Sequence, residues 1–173
     1  MPSLSLLHRS LGGFLAAFAA LSLALPPAYA LDEGAKMPEI GLADLSTGKP
    51  VTVASLAGKV VIVDFWATWC APCKEEMPVL EKLYKKYGSK GLVVVGVSVD
   101  KDASNIKGFL KKLNVTFPVV HDANHQVSGR YQPPRMPSSY IVDRKGIVRF
   151  VHGGFRADDA PVFEKQVLQL LGK

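Results

Sequence analysis

The run from Val60 to Phe65 is apolar except for Asp64 and rich in β-branched side chains. Such a run reads as a central strand buried on both faces, because half-exposed strands alternate polar and apolar residues. Directly after it come Trp66-Ala67-Thr68-Trp69-Cys70-Ala71-Pro72-Cys73. Met77, Leu80, Leu83, Tyr84 and Tyr87 then recur at helical spacing until Gly88 ends the pattern. The order is therefore strand, tight turn, helix, with the cysteines in the first helical turn. At C-x-x-C spacing the two sulfurs can bridge. Cys70, at the helix start, meets unpaired N–H groups and the positive end of the helix dipole, which stabilise a thiolate. Pro72 falls where its missing N–H costs nothing, and Pro78 is expected to kink the helix. Cys73 lies one turn in, more buried, and should titrate higher. That asymmetry supplies an attacking thiol and a resolving thiol.

Around this segment, Ile40, Leu42, Val51 and Val53 alternate about Ser46-Thr47-Gly48-Lys49 and predict a leading β-hairpin. Leu92–Val99 reads as a second buried strand, Ile106, Phe109, Leu110 and Leu113 as a second helix, and Phe117–Val120 as a short strand. Residues 121–137 are irregular and proline-rich. Ser139–Val142 and Ile147–Val151 flank Asp143-Arg144-Lys145-Gly146, a hairpin signature. Val162, Val167, Leu168 and Leu171 mark a C-terminal helix. The element order is ββ, β, α, β, α, β, short helix, β, β, α. It predicts an α/β fold, a central mixed β-sheet flanked by helices.

Residues 1–30 differ from the rest. His8-Arg9 precedes Leu11–Leu25, which carries no charge, and Pro26-Pro27 leads to Ala28-Tyr29-Ala30. This is the pattern of a secretory signal peptide cleaved after Ala30, with an apolar stretch short of the roughly 20 residues a membrane span needs. The expected organisation is a leader over 1–30 and one domain over 31–173, periplasmic after cleavage. In an oxidising compartment, two cysteines three positions apart are poor candidates for inert thiols.

Two cysteines in 173 residues exclude a disulfide-stapled miniprotein and a four-cysteine metal site. A merely structural disulfide is a weak reading, since so small a loop constrains the unfolded chain little. Zinc would need two further ligands, and His121, His125 and His152 are the histidines after the leader. His121 and His125 read as solvated loop side chains, so no metal or cofactor is expected. The net charge is +6. The lysines are scattered in pairs among acids without aromatic interleaving, which argues against nucleic acid as a partner.

The stretch DFWATWCAPC resembles the thioredoxin superfamily, and residues 35–172 resemble its exported TlpA/ResA-like branch. The branch pattern is met by Phe65, Trp66, Trp69, Cys70, Pro72, Cys73, Glu76 and Pro78. V-S-V-D (97–100), F-P-V-V (117–120) and M-P-S-S-Y-I-V-D-R-K-G (136–146) follow in family order. The resemblance implies a thioredoxin-like fold with an N-terminal β-hairpin and an inserted αβ unit at 103–131. It implies that Cys70 attacks a client disulfide and that Cys73 resolves the mixed disulfide. It makes Pro137 a cis-proline facing the site, with Met136 offering backbone to a client and Trp69 part of the docking surface, while Trp66 is core. Asp64 matches the buried acid of thioredoxin, whose pKa burial should raise, placing it to exchange a proton with Cys73. Glu76, one turn past Cys73, matches a second acid of the branch, against a plainer reading as a helix-surface glutamate.

No histidine stands between the cysteines, and Asp64 lies beneath them. Both features disfavour a Cys70 thiolate and favour a reductant. A reductant there needs a membrane electron donor. The family resemblance implies clients with disulfides or cysteine pairs, such as apocytochrome c or copper-site proteins. The chain is expected to be a monomer. Three other readings are a Cu(I)-binding chaperone using both thiolates, an oxidant, and a peroxiredoxin-type peroxidase. The last would want Pro and Ser/Thr where Val63 and Ala67 stand.

Overall fold

The computed structural model describes residues 31–172, so the leader expected over 1–30 lies outside the described residues. A hairpin of β1 (Leu42–Ala43) and β2 (Pro50–Val51) comes first. Ile40 and Val53, expected within it, flank it instead. Its turn is tied by Asp44. One carboxylate oxygen accepts from the backbone and hydroxyls of Ser46 and Thr47, and the other from Val119 N at 2.9 Å. Burial alone would raise the Asp44 pKa, but these hydrogen bonds outweigh it and bring it down to about 2.

β3 (Val60–Trp66) is buried along its whole length. It leads into α1 (Ala71–Tyr87), which runs on through Pro78; the proline expected to kink the helix does not end it. The chain continues through β4 (Leu92–Ser98), α2 (Ile106–Lys112), β5 (Val119–His121), α3 (Gln126–Tyr131), β6 (Ser138–Val142), β7 (Val148–Gly153) and α4 (Ala160–Leu171). The sheet order is β5-β4-β3-β6-β7. β4 lies parallel to β3 and β6 antiparallel to it, so the buried run is central, as its composition demands.

Alternation along β3 divides the core. Val60, Ile62 and Trp66 pack with Cys73, Met77 and Leu80 of α1 and with Phe163 and Val167 of α4. Val61, Val63 and Phe65 pack on the other face with Val127 and Tyr131 of α3. Asp64 shares the parity of Ile62 and Trp66, and therefore faces α1. Trp66 stacks on Phe109 at 5.2 Å between ring centres, joining α2 to the sheet. Gly96 makes room for it: a Cβ there would stand 3.0 Å from the Trp66 ring nitrogen and 3.1 Å from Phe117.

The short helix expected before the final hairpin is α3, within the proline-rich stretch 121–137; its Tyr131 is fully buried and donates its hydroxyl to Pro38 O. Two expectations need correction. His121 is not a solvated loop residue. It ends β5, and its Nε2 lies 2.7 Å from Asp100 O. Val162 is exposed, because the inward stripe of α4 is Phe163, Val167 and Leu171, at steps of four.

The segment before the hairpin closes the opposite edge of the sheet. Gly34 N donates to Val148 O, Val148 N to Ala35 O, and Met37 N to Gly146 O, with Lys36 bridged to Ile147. Asp44 is likewise bridged to Val120 at the β5 edge.

Candidate active site at the Cys70–Cys73 disulfide

Cys70 is the N-cap of α1, in extended conformation, and its Sγ accepts from Cys73 N at 3.3 Å. A sulfur thus occupies the place usually taken by a Ser or Asp oxygen, satisfying one of the orphan donors of the first turn. The two cysteines form a disulfide, with Cys73, in the first turn of α1, wholly buried. Trp69, immediately before it, is 67% exposed, whereas Trp66 is fully buried.

The turn between β3 and α1 is held from outside. Asp100 accepts from Thr68 N at 3.0 Å and from Thr68 Oγ1 at 2.7 Å, and it also accepts from Ser98 Oγ at 2.8 Å. Val99 N donates to Trp66 O, and Cys70 N to Ala67 O. Asp100 therefore fixes the peptide chain two residues before Cys70, and His121 on its carbonyl ties that brace to the inserted unit. Sequence reasoning gave Asp100 no role. The available signal was a carboxylate at the end of an otherwise apolar strand run.

Met136 and Pro137 immediately precede β6. Their peptide bond is cis; Pro137 is buried and its carbonyl accepts from Gly154 N. Met136 is half-buried and touches both halves of the core. These two and Trp69 sit on separate segments, the start of β6 and the turn after β3.

The two acids meet inside. On α1, Cys73, Glu76, Met77 and Leu80 lie at steps of three and four, and all are buried. Glu76 is therefore an inward residue, not a helix-surface one. Asp64 is paired across the ladder with Ser139 of β6. Ser139 Oγ lies 3.0 Å from Asp64 Oδ1 and 2.9 Å from Glu76 Oε1. The remaining oxygens, Asp64 Oδ2 and Glu76 Oε2, are buried with no protein partner. Burial pushes Asp64 up to about 7, against a smaller opposing effect of the Ser139 hydrogen bond. Glu76 is pushed well above the usual carboxylate range, by burial first and then by the negative charges of Asp64 and Asp159. Ser139, also unassigned from sequence, is the hinge of this cluster.

A mixed sheet of this order, with a C-x-x-C disulfide capping the helix that follows its central strand, defines a thiol–disulfide oxidoreductase of thioredoxin-like fold. The chain belongs to the Redoxin family, which it matches over residues 32–167. It is 36% identical over 115 residues to thiol-disulfide oxidoreductase ResA of Bacillus cereus, covering 66% of this chain and 66% of that protein. With thioredoxin-like protein YneN of Bacillus subtilis the identity is 37% over 127 residues, 72% and 73% of the two chains. The chain thus spans about two thirds to three quarters of these relatives. Among solved structures, a Chlorobium tepidum chain assigned as a thiol:disulfide interchange protein DsbE superposes with a TM-score of 0.78 at 37% identity, covering 83% of this chain and all of that one.

Proposed function

We propose that this protein is an exported disulfide reductase in which Cys70 is the nucleophile and Cys73 the resolving thiol. One observation carries the reading. Cys70 sits at the helix N-cap with its sulfur on a backbone N–H, while Cys73 is buried one turn in, on the same inward face of the helix as Glu76, one of two acids whose pKa values burial has raised. The N-cap residue, 4% exposed where Cys73 has no exposure, is the nearer to a docking client disulfide, and the helix end can stabilise its thiolate. A buried thiol must lose its proton before it can resolve, and an acid of raised pKa is the matching acceptor. Trp69, Met136 and Pro137 form the surface on which a client chain docks.

The direction follows from charge. A negative charge beneath the cysteines and the absence of a histidine between them destabilise the Cys70 thiolate, which makes the dithiol the better electron donor. In an oxidising compartment, a membrane thiol donor restores the dithiol. The clients are proteins with disulfides or paired cysteines that must be reduced before metal or haem insertion, such as apocytochrome c or copper-site apoproteins. No helix among the described residues is long and apolar enough to cross a membrane. The direction is tested by equilibrating the pair with a dithiothreitol or glutathione series and following Trp66 and Trp69 fluorescence. A potential near or below about −220 mV supports the reductase, and one near about −120 mV makes the protein an oxidant.

A further inference from the structure

A serine hydroxyl has one hydrogen to give and two lone pairs to receive. Ser139 Oγ is within hydrogen-bonding distance of two carboxyl groups, Asp64 Oδ1 at 3.0 Å and Glu76 Oε1 at 2.9 Å. If both acids were ionised, both would compete for that one hydrogen, and one carboxylate would face only a lone pair. Both contacts are satisfied when at least one acid carries a proton, which it donates to Oγ while Oγ–H is donated to the other. Passing the acid proton to Oγ and the hydroxyl proton onward gives the mirror arrangement with no heavy atom displaced.

Among the described residues no ion pair offsets a double negative charge. From β3 comes Asp64 and from α1 Glu76. The turn before α4 adds Asp159, whose charge raises Glu76 further. From β7, His152 stands opposite Ser139 in the ladder, but its Nε2 lies 2.7 Å from Gln166 Oε1. Cys70 and Cys73, disulfide-bonded, carry no charge. Among the described residues no lysine or arginine is ion-paired with either acid. Two uncompensated buried carboxylates are prohibitively costly, and one shared between two acids through a hydroxyl is not.

We infer that Ser139 is a positioning residue that couples Asp64 and Glu76 into one acid cluster, which never empties of protons and takes up the Cys73 proton on whichever acid is ionised. This deepens the reductase reading and rests on it for the identity of the proton donor. In the balanced sequence, the Cys70 thiolate attacks a client disulfide, the Cys70–client bond forms, and the other client sulfur leaves as thiolate. Cys73 then gives its proton to the single carboxylate of the cluster, which passes from one proton to two. The Cys73 thiolate attacks Cys70 Sγ, the enzyme disulfide forms, and the second client sulfur leaves as thiolate. The client is reduced by two electrons, the cysteine pair is oxidised by two, and the cluster returns its extra proton to solvent.

The test is a carboxyl-carbon NMR titration of the oxidised protein, without client, in wild type, Ser139→Ala and Ser139→Thr. In the wild type, the Asp64 and Glu76 resonances should move together in one step, each by only part of a full ionisation shift. Ser139→Ala removes the hydrogen-bond donor to the ionised form. The midpoint should rise by about one pH unit or more and the shift should collapse onto one acid. Ser139→Thr, which keeps the hydroxyl, should restore both features. Two independent full ionisations in the wild type, or a midpoint unmoved in Ser139→Ala, would overturn the inference. The wild-type result alone decides the matter if the alanine variant does not fold. Because no turnover is involved, a failure of the reductase reading, seen as activity surviving Cys70→Ser, is distinguishable from a failure here.

Discussion

Replacing Asp64 with asparagine should stabilise the oxidised protein at pH 8 and leave its stability nearly unchanged at pH 4. Asp64 is wholly buried, and burial raises its pKa from 3.8 to about 7. Between those values the folded state holds a proton that the unfolded state has released, so wild-type stability falls as pH rises through the window. Above pH 7 the folded acid ionises too and the loss levels off. At about 1.4 kcal/mol per pH unit, the full window is worth about 4 kcal/mol. Asparagine keeps an oxygen to accept from Ser139 and has no proton to lose, so it escapes that loss. The assay is urea unfolding at pH 4, 6 and 8 with the disulfide intact in both states. The histidines are common to both proteins and cancel in the difference. A difference that grows by about 2–4 kcal/mol from pH 4 to pH 8 is expected. A difference that stays constant with pH would refute the claim that Asp64 is held protonated by burial.

Other consequences are as direct. Cys70→Ser should abolish disulfide turnover, while Cys73→Ser should accumulate mixed disulfides with a model client on non-reducing gels; trapping by Cys70→Ser instead would reverse the two roles. Gly96→Ala drives a methyl group to 3.0 Å from Trp66 and 3.1 Å from Phe117. It should cost about 1–3 kcal/mol in urea unfolding, as overpacked cores do, and an unchanged midpoint would mean the Trp66–Phe109 stack is slack. Asp44→Ala should lower stability at pH 7 by about 2 kcal/mol, matching a carboxylate held down from 3.8 to about 2. In this case the folded pKa is depressed, so the contribution is present above pH 4 and lost as pH falls through 2; equal costs at pH 2 and pH 7 would show that the carboxylate charge is not what matters.

The parts of the fold legible in the sequence were those where local pattern and global packing agree. Val60 to Phe65 had to be central because every side chain but Asp64 is apolar, and the C-x-x-C after it had to cap a helix. What pattern missed were phases and partners. Glu76 looked like one of the many Glu and Lys residues of α1, yet it stands three residues from Cys73 and four from Leu80, on the inward stripe. Val162 looked like part of the C-terminal stripe until the helix phase was set by Phe163 and Val167. Ser139 and Asp100 act through residues 63 or more and 32 positions away. A polar side chain in a strand gives no sign of which distant group will meet it. The short helix α3 was expected in its place in the order but without bounds, because six residues are too few to show a period.

The closure of both sheet edges by residues 34–44 bears on how the chain becomes folded. Gly34, Ala35 and Met37 pair with residues 146–148, and Asp44 with 119–120. The earliest part of the described chain is thus secured by residues far along the chain, in α3 and at the β5 and β7 edges. Contacts of such sequence separation form late, since their loop-closure entropy is offset only once the strands between are in place. Until β7 has joined β6, the outer side of β6 presents open backbone, and a truncated chain would offer that edge to its neighbours, while β5 keeps its cover from Asp44 and Leu45. Completion of the sheet on that side and protection of its β7 edge by residues 34–37 are therefore reached together, only when the chain is present through Gly153.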